Sequence, residues 1–196
     1  MPALWTVRQR RAALTGTALG LGLWVGLAAS LPAFAQAPFT LTSKDLDPRK
    51  PVDVAQVYDN GGCHGKNQSP ELQWSGAPAG TKSFAITLFD LDAAGPGWWH
   101  WAVTGIPADT QELPTNASAS GFLKRLHAVE ANNDFEKPGY GGPCPPPGKP
   151  HRYIITVYAL RTTDLRLTAG QPAPMFDHEI GTTVLGKASI TVTYGR

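Results

Sequence analysis

Three long segments rich in β-branched, aromatic and aliphatic residues constrain the fold of this chain more than any other feature. They occupy residues 83–91, 98–106 and 151–161. Residues of these types favour the extended backbone of a β-strand. In residues 83–91 both alternating sets of side chains are largely apolar, which predicts a strand covered on both faces and central in its sheet.

Shorter segments extend this mainly β pattern. Three further strands are predicted at residues 39–43, 72–74 and 189–194. A single helix is predicted at residues 174–187, where Pro174 suits the first turn and Gly181 weakens the signal. Residues 108–128 are polar and small, which predicts a loop with little regular structure. Together these elements indicate one mainly antiparallel β domain with a late helix.

The N-terminal segment has the pattern of an export signal. A start with three arginines precedes an apolar run at residues 12–31, and the Ala-Phe-Ala sequence at residues 33–35 fits the small-x-small cleavage rule. The sequence therefore predicts a signal peptide at residues 1–35 and a periplasmic or secreted domain at residues 36–196. A retained membrane anchor is the open alternative, because the apolar run approaches the length of a membrane span.

The charge of the predicted domain argues against nucleic-acid binding. The whole chain has a formal net charge of +2, and the three charged residues of the predicted signal are all arginines. The remaining domain therefore carries a net charge of −1. No run of Lys or Arg remains in it, so a basic patch for nucleic acid is not expected.

Cys63 and Cys144 are the only cysteines, and both lie in loops rich in Gly and Pro. In an exported protein, two cysteines in such loops favour a disulfide. A disulfide that closes a loop of about 80 residues would contribute roughly 4–5 kcal/mol in the chain-entropy model. Two free thiols are the alternative.

Polar side chains occur at the ends of the three long strands. Asp90 and Asp92 follow the first strand, His100 opens the second, and His151 and Tyr153 open the third. Two carboxylates on one strand face repel each other, so a donor or a cation is expected beside them. Arg152, His100 or His151 could supply the donor or the cation.

Alternation along the second strand predicts which side chains accompany His100. It places His100 on one face with Trp98 and Ala102, and it places Trp99 and Trp101 on the opposite face. A half-open arrangement of this kind suits the wall of a pocket. A histidine buried in the core is the alternative.

A loop at residues 139–150, with five prolines and four glycines, leads into the third strand. The backbone N–H groups of Gly141 and Gly142 could bind an anion in the manner of a nest. If these groups converge with two carboxylates, two imidazoles and a phenol, the result is a small pocket for a phosphate-like or polar head group.

The sequence lacks the motifs of several enzyme classes. There is no Gly-x-Ser-x-Gly elbow, no His-Glu-x-x-His and no Cys-x-x-Cys. Two Asp and two His form a plausible metal-ligand set, but their local spacing does not specifically support a metal. We therefore expect no metal and no cofactor, with the metal site as the open alternative.

Five blocks of sequence occur in a characteristic order. They lie at residues 67–74 (Asn-Gln-Ser-Pro-Glu-Leu-Gln-Trp), 89–93 (Phe-Asp-Leu-Asp-Ala), 97–101 (Gly-Trp-Trp-His-Trp), 139–146 (Gly-Tyr-Gly-Gly-Pro-Cys-Pro-Pro) and 151–153 (His-Arg-Tyr). Together they resemble the phosphatidylethanolamine-binding protein family, in its bacterial Raf-kinase-inhibitor-like branch. The resemblance extends from about Phe39 to Tyr194.

This resemblance implies a fold and a binding site. The fold is a large antiparallel sheet packed on a smaller one, with a few peripheral helices that include one near the C-terminus. The family's pocket takes phosphate, acetate or a phosphoethanolamine head group, and no reaction is general to the family. Its pocket residues fall on Asp90, Asp92, His100, Gly142, Pro143, His151 and Tyr153.

The chain departs from the family pattern beside the two carboxylates. Leu91 and Ala94 stand where the family usually has prolines. Those prolines would restrict the backbone dihedrals of the loop. We therefore expect a pocket rim that is looser or differently shaped.

The sequence predicts a non-enzymatic protein that binds a small phosphorylated or anionic ligand, such as a phospholipid head group. Gly142 N–H and Tyr153 O–H are expected to donate to the anion, with His100 and His151 as further donors. Asp92 and Arg152 are expected mainly to hold the loop. Asp90 is expected to orient a histidine or to pair with an ammonium. Two alternatives stay open: a protein-interaction module that inhibits a kinase or a protease, and a hydrolase in which Asp90 and His100 activate water.

Overall fold

The computed structural model describes residues 37–196, so the predicted signal peptide lies outside the described part of the chain. The elements follow one another as β1 (Thr40–Thr42), β2 (Leu72–Ser75), β3 (Ser83–Asp90), β4 (Trp98–Pro107), β5 (Glu112–Leu113), α1 (Phe122–Arg125), β6 (Val129–Glu130), β7 (His151–Leu160), α2 (Ala173–Thr183) and β8 (Val184–Tyr194). Neither of these helices is both long and apolar enough to cross a membrane.

The strands form two sheets in which neighbouring strands are antiparallel. The larger sheet has the order β6-β4-β3-β7-β8, and the smaller has the order β1-β2-β5. Trp74 of the smaller sheet packs edge-on against Phe84 of the larger one, at 5.3 Å between ring centroids. The predicted fold, a large antiparallel sheet packed on a smaller one, is confirmed.

β3 lies at the centre of the larger sheet, between β4 and β7, as its two apolar faces predict. On one face Phe84 and Ile86 join the core between the two sheets. On the other face Ala85 packs in a second core with Phe176 and Ile180 of α2. This double burial holds the end of β3, and the side chains that follow it, in a fixed position.

The boundary between α2 and β8 differs from the sequence prediction. The helix ends at Thr183, and β8 begins at Val184 rather than at residue 189. Val184 pairs with Leu160 of β7, and after a bulge at Leu185 the ladder continues from Gly186 to Tyr194. Pairing with the long β7 strand therefore overrides the helical pattern of these residues.

The stretch 108–128, predicted to be a loop, contains two short elements. They are the two-residue strand β5 and the four-residue helix α1. Elements of this length span too few residues to show a hydrophobic period, so sequence patterning could not find them.

Candidate functional site

A cavity of about 560 Å³ opens where the end of β3 meets the beginnings of β4 and β7. Its polar lining brings together four of the seven predicted pocket residues: Asp90, Asp92, His100 and His151. The rest of its wall is largely apolar and consists of Ala93, Ala94, Trp98, Phe135, Cys144, Pro145 and Pro146. The cavity therefore combines a few polar groups with an apolar surround.

Asp90 is the last residue of β3, and its side chain is buried. Its Oδ1 accepts hydrogen bonds from the backbone N–H groups of Asp92 (2.9 Å) and Ala93 (3.1 Å). Its Oδ2 lies 2.7 Å from Nδ1 of His151. Asp90 therefore caps the turn after β3 and at the same time orients a histidine at the cavity wall.

Asp92 makes a different set of contacts at the cavity rim. It accepts two hydrogen bonds of 2.8 Å from the guanidinium of Arg152 and one of 2.9 Å from the backbone N–H of Arg152. These hydrogen bonds hold the pKa of the Asp92 carboxyl far below its ordinary value. Arg152 is correspondingly committed to Asp92 and is not a free cation for the cavity.

His100 occupies a β-bulge near the beginning of β4. Phe89 pairs with Trp99, and Leu88 pairs with Trp101, so His100 is the extra residue between the two pairs. A bulge of this kind re-aims a side chain and interrupts the alternation of faces.

The bulge overturns the face assignment made from strict alternation. Trp101 belongs to the same core as Tyr153, against which His100 packs edge-on at 5.2 Å. Ala102 belongs with Trp99 to the core on the other face of the sheet. The predictions that Trp101 lies opposite His100 and that Ala102 shares its face are therefore wrong.

The hydrogen bonds of His100 determine its tautomer. The side chain is only 2% exposed, and its Nδ1 lies 2.7 Å from the carbonyl oxygen of Gly141. Because a carbonyl only accepts, Nδ1 carries the proton and donates, which leaves Nε2 as an acceptor in the neutral ring.

Burial also decides the charge of His100. It lowers the pKa of His100 to about 4, against the opposing effects of the Gly141 and Gly142 carbonyls and of the Asp90 carboxylate. At neutral pH the ring is therefore uncharged. The sequence-based role of His100 as a further donor does not fit this arrangement.

Tyr153 lies behind the cavity wall rather than on it. Its ring packs against both His100 and His151, and its hydroxyl is a buried group that makes no hydrogen bond with the described residues. Burial raises the pKa of this phenol, and the nearby Asp90 carboxylate adds to the effect, so the hydroxyl keeps its proton. Tyr153 and Pro143 line a separate internal void of about 10 Å³.

The glycine loop does not provide the free N–H groups that the sequence suggested. Gly142 N–H donates to Oδ1 of Asn67 at 2.8 Å, and Gly141 N–H donates to the carbonyl of His100 at 2.8 Å. A Cβ atom on Gly142 would lie 2.1 Å from the carbonyl oxygen of Gln56. Gly142 is thus needed for close backbone packing, and the predicted anion nest is not formed.

Sequence reasoning missed Phe135, which closes one side of the cavity. Its ring packs edge-on against Trp98 and His100, each at 5.4 Å, and stacks on Tyr58 at 4.1 Å. Phe135 follows β6 in an irregular segment. A single aromatic residue in such a segment gives no periodic signal.

A disulfide joins Cys63 to Cys144, with 5.9 Å between the two Cα atoms, and this prediction is confirmed. Cys144 also lines the cavity beside Pro145 and Pro146. The cross-link therefore anchors one wall of the cavity to the loop around Cys63.

Metal ligation has no geometric support in the described part of the chain. Within residues 37–196, no group of three or more His, Cys, Asp or Glu side chains is arranged to hold a metal ion. Asp90 and Asp92, which the sequence placed together, have separate partners.

Comparisons with known proteins agree with this architecture. The family model described as phosphatidylethanolamine-binding protein matches residues 36–195. The UPF0098 protein YbcL of Escherichia coli is 40% identical over 161 residues, which cover 81% of this chain and 88% of that protein. The UPF0098 protein YbhB of Escherichia coli is 39% identical over 155 residues, which cover 79% and 98%.

A solved structure is similar as well. The crystal structure of E. coli YbcL, described as a new member of the mammalian PEBP family, matches with a TM-score of 0.78 and 39% identity. The match covers 82% of this chain and 99% of that one.

Proposed function

Because the chain belongs to the phosphatidylethanolamine-binding protein family, we propose that its cavity binds a small ligand with a phosphate-containing head group. O-phosphoethanolamine is a suitable model compound. The observation that carries the proposal is the convergence of Asp90, His100 and His151 on one cavity. Its volume of about 560 Å³ is within the usual range for small-molecule sites.

Unmatched donors beside the cavity support a ligand with oxygen acceptors. Trp98 lines the cavity and Tyr153 lies behind it, and the Trp98 indole N–H and the Tyr153 hydroxyl are both buried without a hydrogen-bond partner among the described residues. A buried donor without an acceptor costs about 1–3 kcal/mol. A phosphate oxygen that reaches the indole N–H of Trp98 would relieve that cost.

The apolar surround supports a ligand that is more than a bare ion. Trp98 and Phe135 form an aromatic corner, and Pro145 and Pro146 face the same cavity. Such a wall would contact an aliphatic or aromatic substituent attached to the head group. The ligand we propose therefore has a polar end and an apolar end.

We propose binding without catalysis. Among the described residues that line the cavity, none is a serine, threonine or lysine, and Cys144 is held in a disulfide. Covalent catalysis needs an activated nucleophile, and none of the lining side chains supplies a hydroxyl, amine or free thiol.

We also propose that the protein is exported. The Cys63–Cys144 disulfide is of a kind that persists in oxidising compartments. Residues 1–35 have the sequence pattern of a signal. N-terminal sequencing of the protein recovered from the periplasm or medium tests this directly, and an intact Met1 would contradict a cleaved signal.

The binding proposal is tested by calorimetric titration with O-phosphoethanolamine and with inorganic phosphate. We expect saturable binding by the wild type and at least about a tenfold loss in His100→Ala, since the variant removes a buried polar contact. His178→Ala is the matched control, because His178 is exposed on α2 and should leave binding unchanged. A folded wild type that binds neither compound would contradict the proposal and direct attention to protein partners.

A further inference from the structure

The orientation of His100 restricts what its free nitrogen can do. His100 and Gly141 exchange two hydrogen bonds: Nδ1–H donates to the Gly141 carbonyl at 2.7 Å, and Gly141 N–H donates to the His100 carbonyl at 2.8 Å. The opposite tautomer would place a ring lone pair against a carbonyl lone pair. Within residues 37–196 no hydrogen bond to Nε2 is formed, so this nitrogen presents an unshared electron pair to any ligand that reaches it.

The other charged and polar groups at the cavity do not favour a fully ionised anion. The described residues that line the cavity include Asp90 and Asp92, which carry carboxylates, but no Lys or Arg. Arg152 is committed to Asp92, and the N–H groups of Gly141 and Gly142 donate to protein oxygens. The donors left unmatched, in Trp98 and Tyr153, are both neutral.

We infer that His100 selects a hydrogen-bond donor of the ligand, either the O–H of a singly protonated phosphate or the N–H of an ammonium. The inference rests on the proposed function and makes it more specific. A fully ionised oxyanion would place an oxygen lone pair against Nε2 and beside the Asp90 carboxylate, and the nearby guanidinium of Arg152 is already paired with Asp92.

The surroundings of His100 keep it in this acceptor state over a wide range of pH. Burial lowers its pKa to about 4, while the carboxylates of Asp90 and Asp134 act in the opposite direction. The remaining ring neighbours are Phe135 and Tyr153, and His151 lines the same cavity with Nδ1 held by Asp90. Above about pH 5, the uncharged ring predominates.

Methyl phosphate and methyl sulfate form a matched pair of probes. At pH 5 both carry a single negative charge and have nearly the same shape, because a phosphate monoester has its second pKa at about 6. They differ in one O–H group, which only methyl phosphate has. We expect methyl phosphate to bind at least about tenfold more tightly than methyl sulfate at pH 5. Equal affinity would overturn the inference while leaving the proposed function intact.

The pH dependence separates the two kinds of donor. If the phosphate O–H meets His100, the affinity of both methyl phosphate and O-phosphoethanolamine falls about tenfold per unit above pH 6, as that proton is lost. If the ammonium meets His100, O-phosphoethanolamine keeps its affinity at pH 8 while methyl phosphate does not. Undiminished binding of methyl phosphate at pH 8 would overturn the inference.

A second measurement does not depend on a variant or on a ligand. Long-range proton–nitrogen NMR of the protein with ¹⁵N-labelled histidine reports which ring nitrogen carries the proton. We expect a protonated Nδ1 and an unprotonated Nε2 for His100 at pH 7. A protonated Nε2 would overturn the inference. If neither probe nor O-phosphoethanolamine binds, the proposed function fails and this inference fails with it.

Discussion

The floor and the rim of the cavity use the same residue types for different purposes. At the floor, Asp90 and His151 form a largely buried pair beside the buried His100. At the rim, Asp92 and Arg152 form a pair in which the arginine side chain is 58% exposed. Water screens the rim pair and competes for its hydrogen bonds, whereas the floor groups are shielded from water and keep their hydrogen bonds to each other and to the nearby backbone.

The comparison indicates that burial, and not residue type, distinguishes the side chains that we propose to bind a ligand from those that hold the loop. The two aspartates are two residues apart, but only Asp90 is at the end of the central strand. Asp92 lies in the turn that follows and fastens it to β7. A mutation at the floor should therefore affect folding and binding together, and one at the rim should affect mainly the loop.

The largest expected effect comes from the disulfide that anchors the cavity wall. Replacing Cys63 and Cys144 together by serine should lower the free energy of unfolding by about 2–5 kcal/mol, since the cross-link closes a long loop. Urea denaturation of the oxidised wild type and the double variant measures this difference. A change below about 1 kcal/mol would show that the wall keeps its position without the cross-link.

The next largest effect is expected when one of the two aspartates, Asp90, is replaced. Asp90→Ala should cost about 3 kcal/mol, because the N–H groups of Asp92 and Ala93 and the Nδ1 of His151 lose their acceptor. The same change should abolish binding of O-phosphoethanolamine.

Asp92→Ala is the matched control for Asp90→Ala. It removes a screened pair at the rim, so it should shift the urea midpoint much less and should weaken binding only modestly. Equal losses of stability in the two variants would remove the distinction between floor and rim.

Sequence reasoning found the floor residues because they lie at the ends or beginnings of strands long enough to be recognised. The segments that became β3, β4 and β7 have their predicted positions to within one residue at each end. Asp90, His100 and His151 lie at the cavity because the end of β3 meets the beginnings of β4 and β7 there.

The remaining features of the site depend on contacts between distant parts of the chain. The bulge at His100 is visible only in the register of β4 against β3. The loss of the Gly142 donor depends on Asn67, which is 75 residues away in sequence. Neither feature leaves a local pattern, so sequence reasoning could not assign the hydrogen bonds of His100 and Gly142, although the pairing of Asp90 with a histidine follows its prediction.

A pH titration of stability should separate floor from rim. The unfolded chain protonates His100 near pH 6.5, whereas the folded protein does so near pH 4. The contribution of His100 is therefore present above pH 6.5 and is lost as the pH falls from 6.5 to 4. The loss should amount to about 3 kcal/mol.

The rim pair should respond at lower pH. The pKa of Asp92 is lowered in the folded protein, so its contribution is lost only as the pH falls below its ordinary value of about 3.8.

Unfolding free energies measured at pH 4–8 for the wild type and His100→Gln isolate the contribution of His100 to stability. Burial raises the pKa of Glu130, which contributes with the opposite sign but equally in both proteins. Parallel pH curves for the two proteins would contradict the assignment.

The smallest effect concerns the rim residue that replaces a family proline. Leu91 has an exposed side chain, but its backbone N–H donates to the Arg152 carbonyl at 2.9 Å. Leu91→Pro removes this hydrogen bond, at a cost of about 0.5–1.5 kcal/mol, and stiffens the unfolded chain, which offsets about 0.4–1 kcal/mol. We expect a net loss of at most about 1 kcal/mol in urea denaturation and unchanged ligand affinity.

Leu91→Ala keeps the N–H group and serves as the control, which should match the wild type in stability. If Leu91→Pro is more stable than both, the hydrogen bond to Arg152 contributes nothing and the rim gains from a restricted backbone. If Leu91→Pro instead loses ligand affinity, the turn between Asp90 and Asp92 positions the floor. The floor and the rim would then act as one unit rather than as two.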